Sequence, residues 1–433
     1  MNTATPTFRE FFRYWLRLGF VNFGSADERA SRMRHDVVTA RGWFTEKAFA
    51  RGLAFCRLLP GMESQQLAVY LGWRLLGIWG GAAAGLLVLL PSVPLLLALS
   101  WLAVAHAGEP LLAGAFRGVA GAAVAIVGQA LWRAGKKALV HPVFYGFAAA
   151  GFLMEYALRL KFYGIVVTAV LMGLWLGQVR PDLFCQIPAI PDDDECAAGP
   201  RRAAGSPWPR AARLAAVFAA LWLVAALPVF LWSGPDSLLP RILTFYTRAG
   251  FLAFGGAYGV LSFVSDMALR LGWTGQGQLA LGLGLGGLAP GPLLLAVQHA
   301  GFMTSFSHPG VLAPLTAGLL GGLLATFGLC VPGVFLVIAC APHAAALCAS
   351  PRLRSALTGI NAAMVGVILK LGVLFAAAAF WPRGFGQGLG AGLDSFALGV
   401  AAASGLVLWR FNTRMHLLVL ASAAVGAAWT LLG

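Results

Sequence analysis

Residues 58–72 read LLPGMESQQLAVYLG, a Pro-Gly pair set in an apolar run and followed at once by Glu63, Ser64, Gln65 and Gln66. Proline lacks an N–H and disfavours helix in the residue before it, while glycine relaxes the backbone. Pro60-Gly61 is therefore expected to end one helix and let another begin near Met62. A helix that starts inside a bilayer has N–H groups without intrahelical acceptors, and these can donate to an anion without any full positive charge. Ser64, Gln65 and Gln66 bring side-chain donors to the same place. A lone break of this kind reads first as a kink satisfied by neighbouring helices. Pro290-Gly291, in LAPGPLLL at 288–295, repeats it and makes the pair a candidate substrate site.

The setting is a membrane. The chain has 433 residues, 59% hydrophobic and only 11% charged, with 55 Gly and 23 Pro. Several apolar runs reach the roughly 20 residues that span a hydrocarbon core, and the alternation of a β-barrel is missing. An all-α polytopic membrane protein follows, multi-pass in a bacterial cytoplasmic membrane. The formal net charge of +15 lies in short clusters between apolar runs. That pattern is a topology signal and excludes a nucleic-acid-binding face. Cys56, Cys185, Cys196, Cys330, Cys340 and Cys348 lack metal spacing and read as small core residues. The first residues have no apolar core before a cleavage site, so no signal peptide is expected.

The break also belongs to a repeat. GFVNFG at 19–24 returns as GFLAFG at 250–255, Trp43 as Trp273 and Pro60-Gly61 as Pro290-Gly291, all at an offset of about 230 residues. Gly80-Gly81 and Pro91 match Gly321-Gly322 and Pro332 after an insertion of about 11 residues. Between these landmarks the first copy carries Arg29, Arg32, Arg34, Arg41, Lys47, Arg51 and Arg57, and the second only Arg270. The positive-inside rule puts the first loop in the cytoplasm and its counterpart outside, which makes the repeats inverted. Expected are a first repeat over 1–178, a cytoplasmic linker over 179–213 holding PDDDEC and SPWP, a connecting span over 214–232, and a second repeat over 233–433. Each repeat has a Pro-Gly-broken re-entrant hairpin and about four spanning helices, nine spans in all. Phe8–Phe23, with Arg9, Arg13 and Arg17 opposite Phe11, Phe12, Trp15 and Leu16, reads as an interfacial amphipathic helix.

Around the second break Gln298 and His299 are the nearest polar side chains, so the first copy is expected to supply most of the contacts. Gly24-Ser25 and Gly255-Gly256 with Tyr258 end the first element of each copy, as an anion nest or as a simple turn. Glu63 either caps its helix toward water or binds a proton when an oxyanion enters. Lys370, in an apolar segment with Asn361 as its expected polar companion, snorkels or faces a polar pathway. Asn22, Arg57 and His299 join Asn361 and Lys370 as secondary candidates, and Glu155 is expected to pair with Arg159. No catalytic constellation, metal spacing or cofactor motif is present, and GLGLGG at 282–287 lacks the strand-to-helix context of a phosphate loop.

With LLPGMESQQLAVYLG and GGAAAGLLVLLP in the first half, and FGGAYGVL, APGPLLL and GGLLATFGLCVP in the second, the chain resembles the chromate ion transporter family in its long, fused form. The resemblance implies two homologous halves of opposite orientation exporting chromate, with sulfate as the competing analogue. It leaves open sulfate uptake, flipping of a lipid-linked phosphate, proton coupling and a homodimer. The family's usual FGGP and PGP stand here as FGSAD (23–27) and PGMES (60–64) in the first copy, whereas the second keeps FGG and PGP.

Overall fold

The computed structural model describes residues 6–106, 108–158, 160–184, 207–234, 237–254, 256–291, 293–382, 392–411 and 413–432. Its regular structure is helical throughout these residues. The first half contains α1 (Phe8–Val21), α2 (Ala26–Arg34), α3 (Glu46–Leu58), α4 (Glu63–Leu89), α5 (Ser92–Ala105), α6 (Pro110–Ala138), α7 (Pro142–Tyr156) and α8 (Phe162–Val179). After α9 (Pro207–Ser233) come α10 (Leu238–Phe251), α11 (Gly256–Arg270), α12 (Gln276–Leu288), α13 (Ala296–Ser307) and α14 (Pro314–Cys340). The chain closes with α15 (Ala344–Ala349), α16 (Pro351–Phe380), α17 (Ser395–Phe411) and α18 (Met415–Leu432).

Both Pro-Gly breaks lie at the tips of helical hairpins. In the first, α3 runs in and α4 runs back, so that the Cα of Gly52 lies against the Tyr70 ring and Phe55 meets Tyr70 at a centroid distance of 5.4 Å. In the second, α12 and α13 return on each other with Gly282 against His299 and Gly286 against Ala296. The glycine-rich run at 282–287 is thus a helix-packing surface, as its context predicts. Beyond the first hairpin α4 folds once more: Leu76 and Gly77 leave helical geometry, with Gly77 at φ +68°. The strand of helix beyond it packs back through Gly80, Gly81 and Ala84 onto Gly72 and Val69.

Helix packing is reciprocal between the halves. α6 packs against α17 and α18, α16 packs against α7 and α8, and α6 and α16 pack against each other. Small residues permit these crossings. A Cβ on Gly118 would run into the Ser422 carbonyl of α18, and one on Gly366 into the Ala148 carbonyl of α7.

Among the described residues seven segments are long and apolar enough to span a membrane, including Glu63–Ala105, Pro110–Ala138, Phe162–Val179 and Ala212–Ser233. The expected nine differ for a physical reason. α7 and α17, with 15 and 17 residues, are shorter than the roughly 20 of a full span. The kinked α4 also joins a hairpin arm to the segment that follows it.

Other expectations shift locally. The basic stretch expected as a loop is largely helical, α2 continuing into a π-helical turn at His35–Ala40. In α1, Phe11, Tyr14, Trp15 and Leu18 are buried, whereas Phe8, Phe12, Leu16 and Phe20 form an exposed stripe beside Arg9, Arg13 and Arg17. The apolar face is therefore divided between protein and surroundings, as a helix at a protein-lipid boundary requires. Most of the expected linker, with Cys185 and Cys196, lies outside the described residues. Cys56 and Cys330 are buried, Cys340 and Cys348 half-buried, and all four are unpaired thiols.

Candidate functional site

The two break tips are tied to opposite halves of the chain. Gly61 donates its N–H to the Ala253 carbonyl at 3.1 Å, and Gly291 donates its N–H to the Asn22 carbonyl at 2.9 Å. Asn22 and Ala253 occupy corresponding positions in the two copies, so each tip docks on the end of the other copy's first helix. Gly61 and Gly291 both have positive φ, +139° and +129°, which a side chain would strain. The N–H groups of these glycines are bonded across the copies, and the N-terminus of α4 begins with Met62 as its cap, as the sequence leads one to expect. No side chain caps α4 at Met62.

Between the tips sits a residue that the sequence reading treated only as a topology signal. Ser25 caps α2, its hydroxyl accepting from the Glu28 N–H at 3.3 Å, and this starts the helix so that Arg29 falls one turn in. Arg29 is 5% exposed. Its Nε donates to Ser64 Oγ at 2.7 Å, and its Nη1 donates to the carbonyls of Gly24 and Gly291, each at 2.7 Å. One guanidinium thus clamps the start of α4 to the second Pro-Gly tip and to the turn at Gly24. The Gly24-Ser25 turn contributes a carbonyl and a cap here, in place of an N–H nest.

A cavity of about 530 Å³ opens at the first tip. Of the expected site residues it is lined by Gly61, Glu63, Gln66, Gly256, Arg57 and Asn361. Asp27, Lys137 and Thr358 add polar groups to its wall, and Phe184 and Phe254 add aromatic rings. Its charges are mutually paired: Arg57 donates to Glu63 Oε1 and to Asp27 Oδ1, each at 2.9 Å, and Lys137 bonds the other Asp27 oxygen. Two cations and two carboxylates therefore face one space. Glu63 is held by Arg57, which accounts for a carboxylate beside a helix N-terminus. Gln66 donates from Nε2 to the Pro60 carbonyl at 2.6 Å and so rigidifies the tip.

The remaining candidates lie elsewhere. Ser64 is bonded to Arg29, and Gln65 is buried next to it. Pro290 and Gly291 stand at the second tip among Asn22, Arg29 and Ser92, so polar groups of the first copy surround a break whose own side chains are apolar. Asn22 is fully buried, and neither of its amide atoms has a partner among the described residues. Gln298 donates to the Val93 carbonyl at 2.9 Å and His299 Nδ1 lies 2.9 Å from Ser100 Oγ. Both therefore face α5, away from the cavity. Tyr258 is partly buried and packs on α6 and α12 neighbours, and Gly255 lies outside the described residues. Lys370 pairs with Glu155 at 3.2 Å and Asp266 at 3.3 Å, correcting the expected Asn361 companion. Arg159, the expected partner of Glu155, is outside the described residues. Among the described residues, no cluster of His, Cys, Asp and Glu suits a metal ion.

The family model described as Chromate transporter matches residues 9–174 and 240–427. The chain is 28% identical to the chromate transport protein of Pseudomonas aeruginosa over 98% of this chain and 92% of that protein. It is 26% identical to the chromate transport protein of Cupriavidus metallidurans over 84% and 81% of the two chains. To the probable chromate transport protein of Synechococcus elongatus it is 24% identical over 93% and 95%. No solved structure matches it.

Proposed function

The chain belongs to the chromate transporter family, and from that premise we propose that it is a secondary transporter exporting a tetrahedral oxyanion, chromate, by alternating access. The observation that carries this reading is the cavity at the Pro60-Gly61 tip, where Arg57 and Lys137 face the same space as Gln66 and Asn361. The two cations are paired with Asp27 and Glu63. An entering oxyanion replaces a carboxylate on Arg57 or Lys137, so its binding is an exchange of partners. Such an exchange keeps affinity moderate and lets the anion leave again.

Sidedness follows from the same residues. Lys137 lies in the last turn of α6 within the cluster of Arg133, Lys136 and Lys137, and Phe184 lies in the segment read as the linker over 179–213, both assigned to the cytoplasm by charge. The cavity thus belongs to an inward-open state that loads from the cytoplasm. The reciprocal bonds of Gly61 and Gly291 support a pseudo-two-fold relation between inverted repeats over 1–178 and 233–433, with α9 as the connecting span. Rocking of one copy on the other about the two tips would carry the cavity across. Leaving a negative cytoplasm favours a dianion by twice the ~2.3 kcal/mol per charge per 100 mV, about 4.6 kcal/mol.

The test is flux of radiolabelled chromate and sulfate in membrane vesicles of both orientations, with and without a pH gradient. Accumulation of chromate in inside-out vesicles, competed by sulfate, is expected. Movement of neither anion, or uptake only in right-side-out vesicles, would refute export.

A further inference from the structure

Among the described residues three ordinarily charged side chains, Arg29, Glu155 and Lys370, are buried. Arg29 belongs to the tips. Glu155 and Lys370 form a separate group with Asp266, built from α7, α16 and α11. Glu155 Oε1 accepts from Lys370 Nζ at 3.2 Å and from Ser262 Oγ at 3.0 Å. Its Oε2 is buried and has no partner among the described residues. Lys370 is also 3.3 Å from Asp266 Oδ1, and the other Asp266 oxygen accepts from Arg270 at 2.7 Å. α8, which packs against both α7 and α16, brings Tyr163 as its one titratable residue, and α12 brings none. The cations Arg133, Lys136 and Lys137 of α6 lie at the cavity end, and Arg117 of α6 is bonded to Asp394.

Charged groups within membrane segments are expensive and persist where a pathway uses them. A purely structural bridge would satisfy both carboxylate oxygens at charge-assisted distances, roughly 2.7–2.9 Å. Here the ammonium stands almost equally far from two carboxylates, and one oxygen of the deeper carboxylate is bare. We infer that Glu155 is a proton-binding site coupled to the oxyanion cycle, and that Lys370 passes to Asp266 when Glu155 is protonated. Glu155 takes one proton from water and becomes the neutral acid, its bare oxygen now a hydroxyl donor. Lys370, no longer held by Glu155, closes on Asp266. The group gains one positive charge, which favours an anion in the neighbouring cavity, and linkage makes anion binding favour the proton in turn.

The connection to the cavity is along two helices. Asn361, Met364 and Ile368 of α16 line it, and Lys370 is half a turn beyond Ile368. Gly256, at the start of α11, lines it as well, about 15 Å along the helix axis from Asp266. The coupling, though not the proton site itself, rests on the transport reading above.

Two measurements on the full-length protein separate the two. Infrared difference spectra between low and high pH should contain a protonated-carboxyl band that shifts with carbon-13 glutamate and is absent in Glu155→Gln. Should that variant fail to purify as a monodisperse species, Glu155→Asp serves, and the band must then move from the glutamate label to the aspartate label. In proteoliposomes Glu155→Gln should keep chromate-for-chromate exchange yet lose accumulation driven by a pH gradient, which for one coupled proton is about tenfold per pH unit. Absence of a titrating glutamate band overturns the proton site. A variant that loses exchange and gradient-driven flux in equal measure reduces the group to a structural ion pair. Failure of the wild type to exchange chromate or sulfate refutes the transport reading, and the infrared titration still decides the proton site.

Discussion

Replacing Arg29 with lysine keeps the charge and removes the geometry. The guanidinium reaches Ser64 Oγ with Nε while Nη1 holds the Gly24 and Gly291 carbonyls, all at 2.7 Å. A lysine ammonium is a single point, and from the same backbone position it can serve one side of that clamp. Two hydrogen bonds from a charged donor are then lost, at about 1.5–3 kcal/mol each, or about 3–6 kcal/mol together. At about 1.4 kcal/mol per decade, a site that functions only with both tips clamped loses about two to four decades of flux. The assay is the initial rate of chromate transport by purified Arg29→Lys in proteoliposomes, normalised to reconstituted monodisperse protein. Arg51→Lys, on the α3 arm away from these bonds, serves as the matched control. Wild-type flux in Arg29→Lys would show that the clamp has no part in forming the site, and a fall in the control of equal size would show a general sensitivity to such exchanges.

Glu63→Gln removes one of the two carboxylates that hold Arg57, so the oxyanion meets less competition. KM is expected to fall several-fold while the pH dependence of flux stays as in the wild type; a lost pH dependence would move the coupling role to Glu63. Gly366→Ala places a methyl against the Ala148 carbonyl, and overpacking of this kind costs about 1–3 kcal/mol. The fraction of monodisperse protein surviving heating in detergent should drop for Gly366→Ala and hold for Gly399→Ala, a position with open space around it; equal survival would refute the close α7–α16 crossing.

The repeat, the hairpins and the membrane class were legible because they depend on residues with one dominant physical meaning. Pro60-Gly61 and Pro290-Gly291 end helices wherever they occur, and the conserved order of glycines, prolines and tryptophans between the halves needs no tertiary information. The kink at Leu76-Gly77 was not legible, since Gly77 is one of four glycines in GWRLLGIWGG at 72–81 and only the return of Gly80 and Gly81 onto Gly72 and Val69 singles it out. Lys370 was recognised as costly, yet its partners come from α7 and α11. Spacing within α16 suggested Asn361 because sequence distance is informative only along one helix.

Arg29 reaches the second tip by a route that the sequence pattern hides. In the sequence it is one of seven basic residues between Phe23 and the first break, and six neighbours of the same charge make a topology signal the natural reading. What distinguishes it is depth, set by the cap at Ser25 and the length of α2, and depth is invisible in composition. Once buried, it brings first-copy charge to the second-copy tip, so the apolar sequence around Pro290-Gly291 does not make that tip dry. On the charge reading of topology, the residues that would orient the chain in the membrane and the residue that bonds the second tip come from one segment. On that reading, substitution of Arg29 is expected to leave topology intact, because Arg32, Arg34, Arg41, Lys47, Arg51 and Arg57 still carry the signal.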